Sequence, residues 1–304
     1  MSDYDVIIMG GGPAGMSALI WSHSLGLRGV LFEQSPELGG QMPEMFHRVL
    51  DYPGLIAENG RELRDHFAAQ LDQLQVDYRT GRRVEEVDLS QCRARFDGEW
   101  MRCEAIIIAT GARKRRLGIP GEERFEIRGV SFSATRDHSL YAGKKVSVIG
   151  GGDSAVQNSL LLARICPSIT LIHRSDRYRA RPDWLEQARE DPRITIIDNA
   201  EVTAIEGSDK VESLAIRDTR TGEIKSIETE GVFIRVGVAP NTEIFRGQVE
   251  MDEAGFIKTD QRQRTSVEMV YAAGDVCRPV SLSVATAVGH GAIAAKDIAV
   301  TLQA

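Results

Sequence analysis

Cysteine is scarce in this sequence. Cys92, Cys103, Cys166 and Cys277 are scattered, and no two are spaced as C-x-x-C. That excludes a disulfide-stapled scaffold and suits a reducing cytoplasm. No apolar run is long enough to span a bilayer, so no membrane span is expected. The N-terminus lacks a basic stretch followed by an apolar core, so no secretory signal is expected either. Positive charge is not in excess: the net charge is −7, which gives no support to general nucleic-acid binding. What remains is an ordinary globular composition, 42% hydrophobic and 27% charged, in 304 residues. This is enough for one large or two medium domains.

Against that background glycine is concentrated in informative places. Gly10-Gly11-Gly12-Pro13-Ala14-Gly15 follows the apolar run Tyr4 to Met9 and precedes Met16 to Trp21, which reads as the start of a buried helix. Strand, glycine turn and helix are the context that a dinucleotide fingerprint requires. Gly10 permits the turn, Gly12 leaves room for a pyrophosphate, and Gly15 lets helix and strand pack closely. The helix N-terminus offers N–H groups and a positive dipole end to phosphate. The next strand, Gly29 to Glu33, ends in a carboxylate about 20 residues past the fingerprint, the distance at which an acidic side chain meets a ribose hydroxyl. Such a carboxylate repels a 2′-phosphate, so this first site fits FAD or NAD and not NADP.

Leu38-Gly39-Gly40-Gln41 allows close backbone approach and adds an amide. Leu63, Phe67, Leu71 and Leu74 mark an amphipathic helix over residues 60–75. Val84 to Val87 and residues 91–107 read as a small antiparallel meander, with Asp97-Gly98 at a hairpin turn. Cys92 and Cys103 fall on opposite arms of that hairpin and are expected to be separate thiols. Ala105 to Gly111 is a buried strand ending in a glycine turn, followed by the basic run Lys114, Arg115 and Arg116. A second fingerprint, Gly150-Gly151-Gly152-Asp153-Ser154-Ala155, follows the strand Lys145 to Ile149. At the end of its next strand stand His173 and Arg174, with Arg177 and Arg179 behind. Loss of the carboxylate and gain of guanidinium groups is how such a site accepts a 2′-phosphate, which favours NADPH. The chain crosses back at Val236 to Thr242, continues through the strand Met269 to Val276, and ends in an Ala-rich helix from about Ser283 to Leu302. The fold class expected is α/β, with two nested Rossmann-like three-layer dinucleotide-binding domains and small antiparallel β-meanders. Residues 1–113 plus 241–304 form the discontinuous first domain, and residues 114–240 form the second.

The nested fingerprints, together with Gly39-Gly40-Gln41, Ala109-Thr110-Gly111, Gly129-Val130-Ser131, Pro240-Asn241-Thr242 and Tyr271 to Val276, resemble the two-dinucleotide-binding-domain flavoproteins. Within them the chain resembles the low-molecular-weight thioredoxin reductase group along essentially its whole length. The resemblance implies FAD at Gly10, Gly12, Pro13, Ala14, Gly15, Glu33, Gly40, Gln41, Val84, Thr110, Gly111 and Asp275. The N–H groups of Val284 and Ala285 would face the flavin pyrimidine edge. It implies NAD(P)H at Gly150, Gly152, Asp153, Ser154, Ala155, His173, Arg174 and Arg179, and no metal. Ser175 stands where the group often has a second arginine, so NADH use stays open. A homodimer and rotation of the inserted domain about the crossings near 111–116 and 237–240 are implied by the resemblance alone.

One departure is decisive for the chemistry expected. The group's C-A-T-C-D-G stretch is Ser133-Ala134-Thr135-Arg136-Asp137-His138 here. Neither serine nor arginine forms a disulfide, so the dithiol relay has no residues at these positions. Asp137 and His138 are the candidate acid–base residues. The expected function is an FAD-dependent NAD(P)H oxidoreductase delivering electrons to a ferredoxin- or flavodoxin-type carrier, as in related reductases without the cysteine pair, or to a small oxidant. Reduction of a disulfide through a partner's cysteines, or a flavin-binding redox sensor with little turnover, remains open. Arg79, Arg82, Arg83 and Arg113, with Lys114 to Arg116, are candidates to steer an acidic carrier. Against a carrier, the group's reductases usually have a C-terminal aromatic extension, whereas this sequence ends soon after its last helix.

Overall fold

The computed structural model describes residues 3–45 and 48–303, with the side chains of Thr135 and Arg136 left outside the description. The fold is mixed α/β, and the chain divides into two compact units, residues 1–113 with 239–304 and residues 114–238.

In the first unit, Tyr4–Met9 is the central parallel strand, flanked by Gly29–Phe32 and Glu99–Ile108; Asp77–Arg79 and Val270–Ala272 extend the sheet on either side. Val6, Ile7, Ile8 and Met9 are all fully buried. A continuous apolar run is what a parallel strand covered on both faces needs. The period-2 geometry then sends alternate residues to two cores. Val6, Ile8, Leu31 and Ile107 meet Met16, Leu19, Ala294 and Ile298 from the helices Pro13–Ser24 and Val284–Leu302. Ile7, Met9, Phe32 and Ile108 meet Val87, Leu89, Ala94 and Phe96 from the meander side. Helices, parallel sheet and meander form three layers. The strand Glu99–Ile108 serves both sheets, pairing antiparallel with Arg93–Phe96 at its start and parallel with Tyr4–Met9 further on. The sequence reading divides this strand near residue 105, where composition changes from Glu99-Trp100-Met101-Arg102 to uniformly apolar; the change marks the passage from an exposed ribbon into the core. Asp97 and Gly98, at φ 51° and 80°, make the hairpin turn.

The second unit repeats the plan. Five parallel strands run in the order Ile194–Ile197, Ser168–Ile172, Lys145–Ile149, Gly231–Ile234, Val130–Ser131. Val146, Val148 and Leu171 pack on the helices Asp153–Leu162 and Pro182–Glu190. Ile149, Ile172 and Val232 pack on Val202, Leu214 and Ile216 of an antiparallel meander formed by Ala200–Glu206, Ser213–Asp218 and Ile224–Glu228. No helix among the described residues is long and apolar enough to cross a membrane.

Candidate functional site

The two glycine turns are anchored in the same way. Gly10 N–H donates to Phe32 C=O at 2.8 Å, and Gly150 N–H to Ile172 C=O at 3.0 Å. Both are at positive φ (112° and 146°), and a Cβ on either would strike a strand-end carbonyl, that of Ala109 at 2.4 Å or that of Arg235 at 2.3 Å. Glycine is therefore obligatory at the turn entry. Gly12 and Gly152 differ from these. Each is extended, each caps a helix with no side-chain hydrogen bond, and a Cβ would meet nothing closer than Gly40 Cα at 3.9 Å, or nothing within 4 Å, respectively. No side chain caps either helix; Pro13 has no N–H, and Ala155 N–H donates to Gly152 C=O at 3.0 Å, which leaves the other first-turn N–H groups without a side-chain acceptor from the cap. Uncapped donors at the positive end of a helix fit a phosphate group.

In the first unit Glu33 is buried, and its carboxylate accepts from Gly11 N–H at 2.6 Å and from Ser35 N–H at 2.7 Å. Gly39 N–H donates to Gly11 C=O at 2.8 Å, bringing Gly40 beside Gly12. Gln41 donates its amide to Ala112 C=O at 2.8 Å, and Thr110 and Asn241 are tied reciprocally at 2.8 Å. Gly111 C=O accepts from Asn241 N–H, and Val84 packs partly buried against the meander-side core. Asp275 lies in a short turn of helix, Gly274–Cys277. Burial pushes its carboxyl above the usual carboxylate range, and among the described residues no hydrogen bond to the carboxylate offsets this. A half-buried carboxylate of this kind fits a hydroxyl-bearing cofactor chain. Ser283 caps the last helix through Thr286 N–H, leaving Val284 and Ala285 at its first turn. Sequence reasoning missed His290 on that helix, whose Nδ1 accepts from Gly274 N–H at 3.4 Å and whose pKa burial lowers; a lone histidine in an Ala-rich helix carried no signal.

In the second unit His173 packs its ring over Gly151, where a Cβ would come within 2.3 Å of it. The ring donates from Nε2 to Arg177 C=O at 3.2 Å and lies tilted on Tyr178. Burial lowers its pKa. Arg179 N–H donates to Gly151 C=O at 2.8 Å, the counterpart of Gly39 on Gly11. Arg174, Arg177 and Arg179 are exposed, and among the described residues no carboxylate pairs with them, whereas Arg181 is held by Asp183 and Arg220 by Asp176. Asp153 accepts from Arg181 N–H at 2.7 Å, Ser154 is exposed and Ala155 is buried.

Ser133 and Asp137 are joined by backbone and through Ser131: Asp137 N–H donates to Ser133 C=O at 3.0 Å, and Ser131 Oγ donates to Asp137 at 2.6 Å. His138 Nδ1 lies 3.1 Å from Ala134 C=O. Arg136 is within the short helix Ala134–Asp137, and its side chain falls outside the described residues. The basic stretch is largely neutralised: Arg113 pairs with Glu243, Arg116 with Glu126, Arg79 with Asp77 and Arg82 with Asp97. Its steering field is therefore weaker than the count of cations suggests. All four cysteines are free thiols. Burial raises the pKa of each, that of Cys277 to about 12. Cys103 donates N–H and S–H to Cys92 C=O at 3.0 and 3.2 Å.

Comparison with known proteins places the chain among relatives of similar length. The family model described as pyridine nucleotide-disulphide oxidoreductase matches residues 4–291. The chain is 38% identical over 301 residues to a thioredoxin reductase of Mycolicibacterium smegmatis, covering 97% of this chain and 95% of that one. To a thioredoxin reductase of Bacillus subtilis it is 34% identical over 297 residues, covering 97% and 93%. Among solved structures, thioredoxin reductase of Lactococcus lactis matches with TM-score 0.75 at 35% identity over 98% of this chain and 100% of that one. That of Giardia duodenalis matches with TM-score 0.79 at 31% identity over 100% of both.

Proposed function

The chain belongs to the pyridine nucleotide-disulphide oxidoreductase family, and on that premise we propose that it is an FAD-dependent NAD(P)H oxidoreductase whose electrons leave for an acceptor other than a dithiol of its own. The observation that carries this reading is Ser133 and Arg136 at the stretch where the resembled group has two cysteines, set against two complete nucleotide cradles. The four cysteines do not offer a substitute pair, since buried thiols with raised pKa values are poor nucleophiles near neutral pH.

In this reading residues 1–113 and 241–304 hold FAD, and residues 114–240 hold NAD(P)H. FAD supplies hydride acceptance from the nicotinamide and onward delivery of two electrons, singly or as a pair. Gly12 clears space for the pyrophosphate, whose charge meets the N–H groups of the helix Pro13–Ser24. Glu33 orients the turn through Gly11 and faces the adenosine ribose; Asp275 meets the ribityl chain. The dipole of the helix Val284–Leu302 favours negative charge beside Val284 and Ala285. Gly152 and the helix Asp153–Leu162 do for NAD(P)H what Gly12 does for FAD, and Arg174 and Arg179 favour a 2′-phosphate. Asp137 and His138 are the candidate proton-handling residues. The acceptor is a ferredoxin- or flavodoxin-type carrier or a small oxidant, the setting is cytoplasmic and the assembly is a homodimer.

A second reading, reduction of a disulfide with the partner supplying the thiols, is favoured by the names of the relatives. Anaerobic mixing with NADPH and with NADH, followed at the flavin band, tests the first half of the proposal; no bleaching by either nucleotide refutes it and leaves a sensor. Turnover of the reduced protein with ferredoxin, flavodoxin, a quinone and thioredoxin tests the second half. Efficient thioredoxin turnover overturns the reading of Ser133 and Arg136.

A further inference from the structure

Arg235 follows the fully buried strand Gly231–Ile234 in the second unit. Its backbone is part of the glycine turn: its N–H donates to Ile149 C=O at 2.8 Å, and its carbonyl is the group that a Cβ on Gly150 would strike. Gly231–Ile234 pairs with Lys145–Ile149 on the side opposite to Ser168–Ile172. Arg235 therefore stands at the carboxyl end of the sheet where the strand order reverses, the crevice in which ligands of open parallel sheets lie.

The protein does not use up this side chain. Nη1 donates to Phe132 C=O, just past the edge strand Val130–Ser131. Nε is buried and has no hydrogen-bond partner among the described residues. No carboxylate pairs with the guanidinium among the described residues, whereas Arg181, Arg193 and Arg217 in the same unit each have one. Burial lowers its pKa, the mark of an uncompensated charge. Near Phe132, Lys114 Nζ is 5.8 Å and Arg116 Cζ 5.5 Å from the centre of its ring, Arg116 being paired with Glu126. A desolvated cation with an unmet donor is unfavourable for a protein on its own and becomes favourable when an anion arrives.

We propose that Arg235 is a binding residue for the nicotinamide half of NAD(P)H, its guanidinium receiving the nicotinamide-side phosphate of the pyrophosphate. The direction follows from the sheet. His173 and Arg174 at the end of Ser168–Ile172 take the adenosine half, so the rest of the dinucleotide runs across the turn toward Gly231–Ile234. The inference rests on the second fingerprint being an NAD(P)H site. The phosphate it contacts is common to both nucleotides, so Arg235 strengthens binding without choosing between them. That separates its role from Arg174 and Arg179.

The test uses the FAD-loaded protein and calorimetric titration with NADP+, NAD+ and adenosine 2′,5′-bisphosphate, which carries the adenosine half alone. Arg235→Met keeps the apolar stem and removes the donors; Arg235→Lys keeps the charge. Loss of a charge-assisted hydrogen bond predicts a Kd for NADP+ and NAD+ raised by the same factor, about 10- to 100-fold, in Arg235→Met. Arg235→Lys should recover part of the loss, and adenosine 2′,5′-bisphosphate should bind both variants as it binds the parent. Equal weakening of the half-molecule means a general distortion and overturns the inference. So does weakening for NADP+ alone, or an unmoved Kd in Arg235→Met with raised KM for an anionic acceptor. Failure of the parent protein to bind NADP+ and NAD+ overturns the functional reading itself, whereas tight parent binding with an unmoved variant Kd overturns only the assignment of Arg235.

Discussion

Alanine at Gly152 separates a glycine kept for a ligand from one kept for the fold. Gly152 has φ −102° and ψ 176°, extended backbone that any residue adopts, and a Cβ there has nothing within 4 Å. The loss of stability comes only from exchanging a tolerable helix cap for a poor one, about 0.5–1 kcal/mol. In a protein of this size that lowers Tm by only about 1–2 °C. The ligand is affected differently, because the methyl group occupies the space that a phosphate needs to reach the first-turn N–H groups. Loss of one charge-assisted hydrogen bond, about 1.5–3 kcal/mol, raises Kd about 10- to 100-fold. Gly15 shows the opposite balance. Helix propensity favours alanine there by about 1 kcal/mol. Its Cβ, however, would sit 1.9 Å from Gly10 C=O, and Gly10 is held by its N–H bond to Phe32. Overpacking of that kind costs about 1–3 kcal/mol or more, so the clash outweighs the propensity. Thermal unfolding and titration with NADP+ on Gly152→Ala and Gly15→Ala read both effects. Parent-like Kd in Gly152→Ala, or parent-like stability in Gly15→Ala, refutes the reasoning.

Arg174→Ala and Arg179→Ala should each raise the Kd for NADP+ by about 5- to 10-fold and leave NAD+ unmoved, because an exposed guanidinium can contact only the 2′-phosphate at that strand end; titration showing parallel weakening of both nucleotides would count against a role in selection. Asp275 has its folded pKa raised by burial, so its protonated form favours folding below its unfolded pKa, and that contribution is lost as pH rises through the folded pKa. At pH 7 its charge therefore opposes folding of the flavin-free protein. Asp275→Asn should raise the apoprotein Tm at pH 7, give no comparable gain near pH 3, and retain less FAD on gel filtration. Replacing Cys92 and Cys277 by serine and the buried Cys103 and Cys166 by alanine should leave flavin reduction and carrier turnover within about twofold of the parent. A turnover loss confined to the acceptor step would reveal a thiol relay within the chain.

The parts of this structure legible in the sequence are those that a local pattern dictates. Val6 to Met9 and Ala105 to Ile108 read as buried parallel strands because both faces of the sheet are covered. The helix Gly60–Leu74 reads from its period. The two glycine turns read from the roles of single residues. What was not legible depends on partners remote in sequence. Arg113 counts as a free cation until Glu243 is found beside it, and Arg82 until Asp97 is. Arg235 reads as the polar end of an apolar strand. Its buried Nε becomes visible only when Phe132, over a hundred positions away, is brought to its Nη1. An arginine directly after four core residues was the one available signal.

The two turns are anchored alike, and one difference between the two sites lies in what fills the space beside the second glycine. In the first turn that space is shared by Leu38 and Glu33: a Cβ on Gly11 would lie 2.6 Å from Leu38 Cδ2 and 2.9 Å from Glu33 Cβ, and the Glu33 carboxylate is fixed by two N–H groups. A fixed anion there repels a 2′-phosphate. In the second turn the same space holds the His173 ring. Burial lowers the pKa of that ring, so at neutral pH it packs as an uncharged group and supplies shape instead of charge. The guanidinium groups at this strand end are then those of Arg174 and Arg179, both exposed. In the proposed reading, nucleotide choice in the second site is thereby uncoupled from the titration of His173 and rests on two exposed guanidinium groups that single substitutions can remove without disturbing the turn.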